Sequence, residues 1–269
     1  MDLTNEINLR LAIIKEHGII GFIKGYFKKI YNLLWIKTLG LRGNIVSVDN
    51  MKFYVGELVV STETLIFLMN NHYERMERSA VQKFVDPSIP VIELGGFIGV
   101  VACYTNSILS APEQHIVVEA NPSAVPLLTR NRELNNCHFK IIHSAISYGM
   151  DPTVKFNLAE LGSRINGNLT DQYVEVQTLT LGNLVKNSNM EHFTLICDIE
   201  GTEVEVISND INILAEQAVV IIMEIHTDFL ENLVVENLLK QLDDAGFRII
   251  SLQDGTYVFE NQNLKSYHS

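Results

Sequence analysis

The stretch Val-Ile-Glu-Leu-Gly-Gly-Phe-Ile-Gly, residues 91–99, decides the fold. A short apolar run meets three glycines, and a helix-like segment follows at residues 100–109. Gly95 and Gly96 have no Cβ, so they allow a sharp turn and a close approach of a ligand to the backbone. Gly99 allows the helix to pack close to the sheet. The order of strand, glycine turn and helix predicts a βαβ unit that binds a dinucleotide or a nucleoside.

Two acidic residues narrow the choice of ligand. Residues 115–119 form an apolar run that ends in Glu119, about 20 residues past the turn, the offset of a carboxylate that accepts hydrogen bonds from ribose hydroxyls. Glu93 stands two residues before the first glycine, where it would repel a pyrophosphate and attract a cationic sulfonium or ammonium. These residues favour S-adenosylmethionine over NAD. The alternative is an ordinary glycine-rich connection with no ligand.

Composition limits the class of protein. A chain of 269 residues, 47% apolar and 19% charged, fits one α/β domain with a large core and a small appendage. The net charge of −12 disfavours nucleic-acid binding. Cys103, Cys137 and Cys197 lack metal-ligand spacing and are expected to be reduced and buried. The polar, acidic first residues do not resemble a signal peptide, so we expect a cytoplasmic protein.

Residues 1–43 differ in charge from the rest of the chain. Seven basic and three acidic residues give this segment a charge of +4, which leaves −16 for the remainder. Apolar side chains recur in it at helical spacing with lysines between them: Ile19, Ile20, Phe22, Ile23, Tyr26, Phe27, Ile30, Leu33 and Leu34. The lysines interrupt the run too soon for a membrane span. Three interpretations are open: the apolar stripe packs on the rest of the protein, it lies on an anionic membrane such as the inner membrane face, or it receives an anionic acceptor.

The order of elements along the chain predicts two parts. Residues 44–55 alternate around Asp49-Asn50 as a hairpin does, and a helix is expected over residues 74–85. From residue 89 strands and helices alternate: helices at 121–134 and 230–245, and strands at 139–143, 193–201, 219–225, 247–252 and 256–260. Two added strands, 153–157 and 173–178, flank a polar loop that is either a lid or a flexible insertion. The parts are residues 1–88, basic amphipathic helices and a β-hairpin, and residues 89–269, the ligand-binding domain.

Five blocks, taken in order, resemble the FkbM family of S-adenosylmethionine-dependent methyltransferases: Glu93–Gly99, Val118–Pro122, Leu134–Asn135, Thr178–Thr180 and Cys197–Glu203. Phe97 replaces the asparagine usual in the turn, and Ile196 replaces a lysine two residues before Asp198. The resemblance implies a Rossmann-like class I methyltransferase sheet with helices on both faces, plus the N-terminal helical and hairpin appendage.

The resemblance and the strand ends together predict the site. The expected donor-binding residues are Glu93, Gly95, Gly96, Gly99, Glu119, Ala120, Ser144, Ala145 and Asp198. A hydroxyl acceptor requires a base, for which Glu200 is the first candidate and His226 the second, while Asp198 orients the acceptor or holds the donor's ammonium. Alternation along the strand puts Asp198 and Glu200 on one side. Glu200 could instead cap the following helix and His226 could be structural. A metal on Asp198, Glu200 and Glu224 is conceivable but not expected.

The sequence therefore predicts a methyltransferase, most readily one that methylates a hydroxyl of a sugar, glycan or small hydroxylated metabolite. Two alternatives remain. One is a catalytically silent binding module associated with membrane glycan assembly, and the other is a nicotinamide-dependent oxidoreductase, which Glu93 disfavours. The oligomeric state is open, with a homodimer as one option, and no nucleic-acid partner is expected.

Overall fold

The computed structural model describes residues 30–32, 34–56, 60–157, 173–199, 201–225 and 232–267. Its strands are β1 (Ile45–Val48), β2 (Met51–Tyr54), β3 (Val91–Leu94), β4 (His115–Glu119), β5 (Lys140–His143), β6 (Ala145–Ile146), β7 (Thr153–Asn157), β8 (Tyr173–Leu179), β9 (Phe193–Cys197), β10 (Ala218–Glu224), β11 (Phe247–Gln253) and β12 (Thr256–Asn261). The α-helices within the described ranges are α1 (Thr62–Met69), α2 (Arg75–Phe84), α3 (Val100–Ile108), α4 (Val125–Leu134), α5 (Leu181–Ser188), α6 (Glu203–Gln217) and α7 (Asn232–Asp244). Residues 30–32 and 34–37 are also helical.

A seven-stranded sheet in the order β11-β12-β10-β9-β3-β4-β5 forms the centre of the molecule. The five strands from β10 to β5 run parallel, whereas β12 and β11 are antiparallel additions. The chain leaves β3 towards β4 and β5, then returns to the other side of β3 as β9. In such sheets the ligand crevice lies outside the carboxyl ends of the strands at this switch point. The switch point here lies between β3 and β9.

Helices cover both faces of the sheet, as continuous apolar strands require. Every residue of β3, β4 and β9 is buried. Ile92 packs in one apolar cluster with α6 and α7, whereas Val91 packs in another with α2 and α3. The predicted Rossmann-like α/β fold is therefore confirmed.

The N-terminal hairpin packs against the ligand-binding part of the sheet. Asp49 and Asn50 both have positive φ, 45° and 66°, as a tight two-residue hairpin turn requires. Phe53 shares a buried cluster with Ile98 and Leu128. The boundary between residues 1–88 and 89–269 remains a prediction.

Several elements differ from the sequence-based expectation. The helix predicted from residue 121 begins at Val125, because the backbone N–H groups of Asn121 and Ser123 donate to the side-chain oxygens of Glu119 and Asn121 in a turn before it. The sequence analysis expected a helix after Glu200 but gave no bounds for α6, and it did not predict α1 or α5. Both of these helices have only 8 residues, and the apolar residues of α1 form one continuous run that gives no clear helical period. The loop at residues 162–170 lies outside the described residues.

Candidate donor and acceptor site

The glycine turn after β3 is held between β4 and the end of β9. The backbone N–H groups of Gly95 and Gly96 donate to the carbonyl of Val118 at 2.9 and 3.2 Å. Gly95 has φ +93°, and a Cβ there would lie 1.7 Å from the carbonyl oxygen of Asp198. No side chain fits in that space, so the turn and the end of β9 are in direct backbone contact.

At Gly96 and Gly99 the absence of a Cβ lets side chains of neighbouring elements pack close to the backbone. A Cβ on Gly96 would lie 2.4 Å from Val117 Cγ1, and a Cβ on Gly99, whose φ is +86°, would lie 2.7 Å from Leu128 Cδ1. Gly99 therefore brings α3 close to α4, whereas the sequence analysis expected it to bring the helix close to the sheet. Gly96 was expected to make room for a ligand, but its missing Cβ faces the protein interior instead.

Glu119 ties the glycine turn to the turn after β4. Its carboxylate accepts from the backbone N–H groups of Phe97 and Asn121, each at 2.6 Å. Burial raises the pKa of Glu119, and these backbone donors partly offset the rise. A carboxylate has about four acceptor positions, and the Ala120 N–H is a third backbone partner, so about one position remains for a hydroxyl donor. The predicted ribose-binding residue is thus held at the carboxyl edge of the sheet.

Glu93 is placed differently from Glu119, although both are buried. Its side chain is 1% exposed, and its Oε2 lies 3.3 Å from His115 Nε2. Burial raises the pKa of Glu93 and lowers the pKa of His115 to about 3, so both shifts favour the neutral forms. Glu93 therefore faces a histidine inside the protein. The sequence analysis located the residue on its strand but did not foresee this partner.

Tyr73 and Glu74 directly precede α2 and lie close to the glycine turn. The sequence analysis did not predict this contact. The Tyr73 ring lies 6.4 Å from that of Phe97, and its hydroxyl donates to Glu74. Burial raises the pKa of Tyr73, and the charges of Glu74, Asp198 and Glu119 raise it further. Tyr73 is thus close enough to Asp198, after β9, and to Glu119, at the end of β4, for their charges to raise its pKa. Nothing in the local sequence signals this, because the contact joins segments distant along the chain.

Glu74 has a backbone conformation that is unusual for glutamate. Its φ is +48°, and its carboxylate accepts from the backbone N–H of Val101 at the start of α3. Burial raises the pKa of Glu74 well above its usual value, with Glu77 and Glu93 adding to the rise. Three glutamates with raised pKa values therefore lie around the turn: Glu93 and Glu119, which are buried, and Glu74, which is half-buried. Such a group attracts a cation once its members ionise.

Asn131 of α4 joins the hairpin to the glycine turn. Its side-chain amide donates to the carbonyls of Ile98 and Tyr54, at 2.8 and 3.1 Å, and accepts from the Tyr54 N–H at 2.7 Å. One turn later, Asn135 makes the equivalent pair of bonds with Lys52, at 2.9 and 2.8 Å. Two amides at helical spacing thus hold the free edge of β2. Asn135 belongs to the Leu-Asn block of the sequence, whereas the role of Asn131 was missed.

The loop after β9 carries the candidate acceptor residues. The backbone N–H of Asp198 donates to Leu94 at 2.9 Å, which puts Asp198 beside the glycine turn. Glu203, fully buried at the start of α6, accepts from the N–H groups of Ile199 and Gly201 at 3.1 and 2.7 Å. Glu203 therefore shapes the loop, a role that the sequence analysis considered for Glu200. Glu200 and His226 lie outside the described residues.

The remaining candidate donor residues lie at the ends of β4 and β5. Ser144 donates its N–H to the carbonyl of Glu119 at 3.0 Å and its hydroxyl to the carbonyl of Gln177 at 2.8 Å. Ala145 is fully buried, and the Ala120 carbonyl lies 3.2 Å from His143 Nε2. The three residues share the edge with Glu119, and their contact with a donor remains a prediction.

Metal and membrane features were searched over the part of the chain that the structure describes. No three His, Cys, Asp or Glu side chains of those residues are grouped so that they could hold a metal ion. Of the conceivable ligands, Asp198 and Glu224 are described and Glu200 is not. No helix among the same residues is long and apolar enough to cross a membrane. The three cysteines are free and buried.

The strand order, the glycine turn after the central strand and the acid that ends the next strand define a methyltransferase-type nucleoside-binding fold. The model of the methyltransferase FkbM domain matches residues 85–249, more than half of the chain. The chain therefore belongs to the FkbM methyltransferase family and is an S-adenosylmethionine-dependent methyltransferase. The residues present fit this donor, since Glu119 is held at the carboxyl edge of the sheet by the N–H groups of Phe97 and Asn121 and can accept from a ribose hydroxyl.

Similar solved structures include a putative O-methyltransferase from Klebsiella pneumoniae, with 11% identity over 69% of this chain and 79% of that chain and a TM-score of 0.45. Another is the precorrin-6y C5,15-methyltransferase from Geobacter metallireducens GS-15, with 8% identity over 77% and 91% and a TM-score of 0.44. A third is the O-methyltransferase from Bacillus cereus in complex with SAH, with 13% identity over 68% and 77% and a TM-score of 0.42. Similarity at this level carries no information about the acceptor. No protein of curated function matches the sequence.

Proposed function

We propose that the protein is an O-methyltransferase whose acceptor is a hydroxyl of a sugar, a glycan or a small hydroxylated metabolite. The observation that carries the proposal is the direct backbone contact between the donor turn and Asp198, where a Cβ on Gly95 would lie 1.7 Å from the Asp198 carbonyl oxygen. An acidic loop that begins against the donor turn is suited to receive and deprotonate an acceptor held beside the donor.

Donor binding in this proposal uses the residues around the glycine turn. Glu119 accepts from the ribose hydroxyls, while Ala120, Ser144 and Ala145 line the side where the adenine lies. Glu93 and Glu74 act through their charge rather than by contact, since Glu93 faces His115 and Glu74 accepts from Val101. Their raised pKa values imply that a cationic donor binds more tightly as pH rises and these carboxyls ionise.

Acceptor activation is assigned to the loop after β9 and the end of β10. The bound donor supplies a methyl group on a sulfonium. Transfer forms the bond from the acceptor oxygen to the methyl carbon, breaks the carbon–sulfur bond and releases the hydroxyl proton to a base. Glu200 is the proposed base, with His226 as the second candidate, and Asp198 orients the acceptor or holds the donor's ammonium. A positioned base contributes typically about 10²–10⁴-fold in rate.

The test measures methyl transfer by mass spectrometry over sugars, nucleotide sugars and small hydroxylated metabolites, with donor affinity measured in parallel by calorimetry. Glu200→Gln keeps the shape of the side chain and removes its basicity, so turnover should fall by about 10²–10⁴-fold while donor affinity changes little. His226→Asn should have a smaller effect.

A matched control is Glu205→Gln, because Glu205 is an exposed carboxylate in the first turn of α6. Wild-type turnover in both Glu200→Gln and His226→Asn would place the base elsewhere. Methyl transfer to nitrogen or carbon acceptors alone would contradict O-methylation while leaving the donor site intact.

A further inference from the structure

The helical residues 30–32 and 34–37 carry several apolar side chains that face outward, although an ordinary packed surface helix turns such side chains inward. Tyr31 is 63% exposed, Leu34 is 60% exposed, and Leu41 in the following turn is 89% exposed. Asn32, in contrast, is 6% exposed. The outward apolar face therefore has no partner among the described residues.

The inward face is already used for packing on the rest of the protein. Leu39 is buried in the cluster that holds the hairpin and the glycine turn, and Trp35 packs against the same cluster. Ile30, Leu34 and Lys37 follow one another at intervals of four and three, so they share the opposite side of the helix, and Leu41 is exposed in the turn that follows. The described part of the basic segment therefore leaves both packing and membrane contact open, because one side packs on the protein and the other side faces outward.

The charge of this region identifies the chemistry of the partner. Lys37 and Arg42 are exposed beside the apolar face, and Arg42 lies 5.0 Å from the Trp35 ring centroid. Residues 1–43 carry +4, whereas the rest of the chain carries −16. A second copy that met the same face would bring like positive charge, which disfavours a symmetric contact through it. The preceding residues 1–29 have five basic and three acidic side chains, a net charge of +2, so they add positive charge to this end of the chain.

We propose that the face formed by Ile30, Tyr31, Leu34, Lys37, Leu41 and Arg42 docks the protein on an anionic lipid bilayer. Leu34 and Leu41 would enter the boundary between headgroups and acyl chains, and Tyr31 would lie at headgroup level. Lys37 and Arg42 would contact anionic headgroups. The acidic remainder of the protein is repelled by the same surface, which favours an approach through this face. The inference does not depend on the proposed acceptor.

The experiment is cosedimentation of the full chain with phosphatidylcholine vesicles that contain about 30% phosphatidylglycerol, alongside pure phosphatidylcholine vesicles. We expect binding to the anionic vesicles only, and loss of most of it in about 0.5 M sodium chloride. Leu34→Glu and Leu41→Glu should each weaken binding by about tenfold or more. Lys37→Glu tests the charge separately from the apolar contact and should also weaken binding.

The matched controls are Leu233→Glu and Leu252→Glu, because these leucines are 64% and 53% exposed on other parts of the surface. Each should bind as the wild type does. Absence of wild-type binding, or equal binding by the Leu34→Glu, Leu41→Glu and Lys37→Glu proteins, would overturn the proposal. A dimer that Leu34→Glu dissociates, without vesicle binding by the wild type, would assign the face to a second copy instead. Since all substituted side chains are exposed, unchanged thermal unfolding is expected and is measured for each variant.

Discussion

Two glycine-bearing loops end adjacent strands of the sheet, and they are built in opposite ways. The donor turn after β3 is enclosed, since a Cβ on Gly95 would lie 1.7 Å from a backbone oxygen. The acceptor loop after β9 is open at Gly201, where φ is +104° and an added Cβ would meet nothing within 4 Å. The donor turn is thus fixed by backbone packing, whereas the acceptor loop depends on the side chain of Glu203.

The largest difference should appear when the same alanine is placed in both loops. Gly95→Ala adds both strain at positive φ and a clash with a carbonyl that cannot move without moving β9, so it should cost more than about 4 kcal/mol of unfolding free energy. Gly201→Ala adds the strain alone and should cost about 1–2 kcal/mol. Chemical denaturation of both proteins measures the difference. Equal losses would remove the distinction between an enclosed and an open loop.

Removal of the carboxylate that shapes the acceptor loop should have the next largest effect. Glu203→Ala leaves the N–H groups of Ile199 and Gly201 without their acceptor, which should cost about 3 kcal/mol of stability. Donor affinity should change little, because no atom of the donor turn bonds to Glu203 through these contacts, while turnover should fall. Glu205→Ala, on the exposed side of the same helix, is the control. Loss of donor affinity equal to the loss of turnover would show that the two loops are not independent.

A smaller effect concerns the buried pair beneath the donor turn. Because the pKa of folded His115 is about 3, below its usual value of 6.5, its neutral form contributes stability above pH 6.5 that is lost as pH falls. Replacing Glu93 by Gln in both proteins removes the titration of Glu93 from the comparison. The stability of the Glu93→Gln protein, relative to the protein that carries both Glu93→Gln and His115→Gln, should fall by about 2 kcal/mol from pH 7 to pH 5. A difference independent of pH would mean that His115 titrates normally.

The sequence predicted the strands and the glycine turn around the proposed donor site because the signals for these elements are local. The turn at residues 91–99 combines a buried strand with glycines, and the strand that ends at Glu119 was predicted with its observed bounds. The close contact of Gly95 with Asp198 was not predictable in the same way, since it joins segments about 100 residues apart. The same holds for the pair of Glu93 with His115, whose contact depends on side-chain direction rather than on strand register.

Local sequence patterns also could not predict the contacts that the N-terminal segment makes with the glycine turn. Tyr73 and Glu74 reach the donor turn through tertiary packing, and Glu74 does so at a positive φ that is rare for glutamate.

Asn131 holds Ile98 through a side-chain amide that no spacing rule distinguishes from an ordinary polar helix residue. Glu203 lies within the Cys197–Glu203 block, but its carboxylate was predicted for no role. Glu200 and His226 lie outside the described residues, so their roles stay predictions.

The central claim is that the glycine turn and Glu119 bind S-adenosylmethionine, and calorimetric titration of the full chain with this donor tests it most directly. The wild type should bind, and Glu119→Ala should bind more weakly by about 1.5–3 kcal/mol, or roughly 10- to 150-fold. Glu113→Ala, an exposed glutamate just before β4, should bind as the wild type does. Thermal unfolding confirms that each protein is folded at the temperature of the titration. Unchanged affinity in a folded Glu119→Ala protein would contradict the claim.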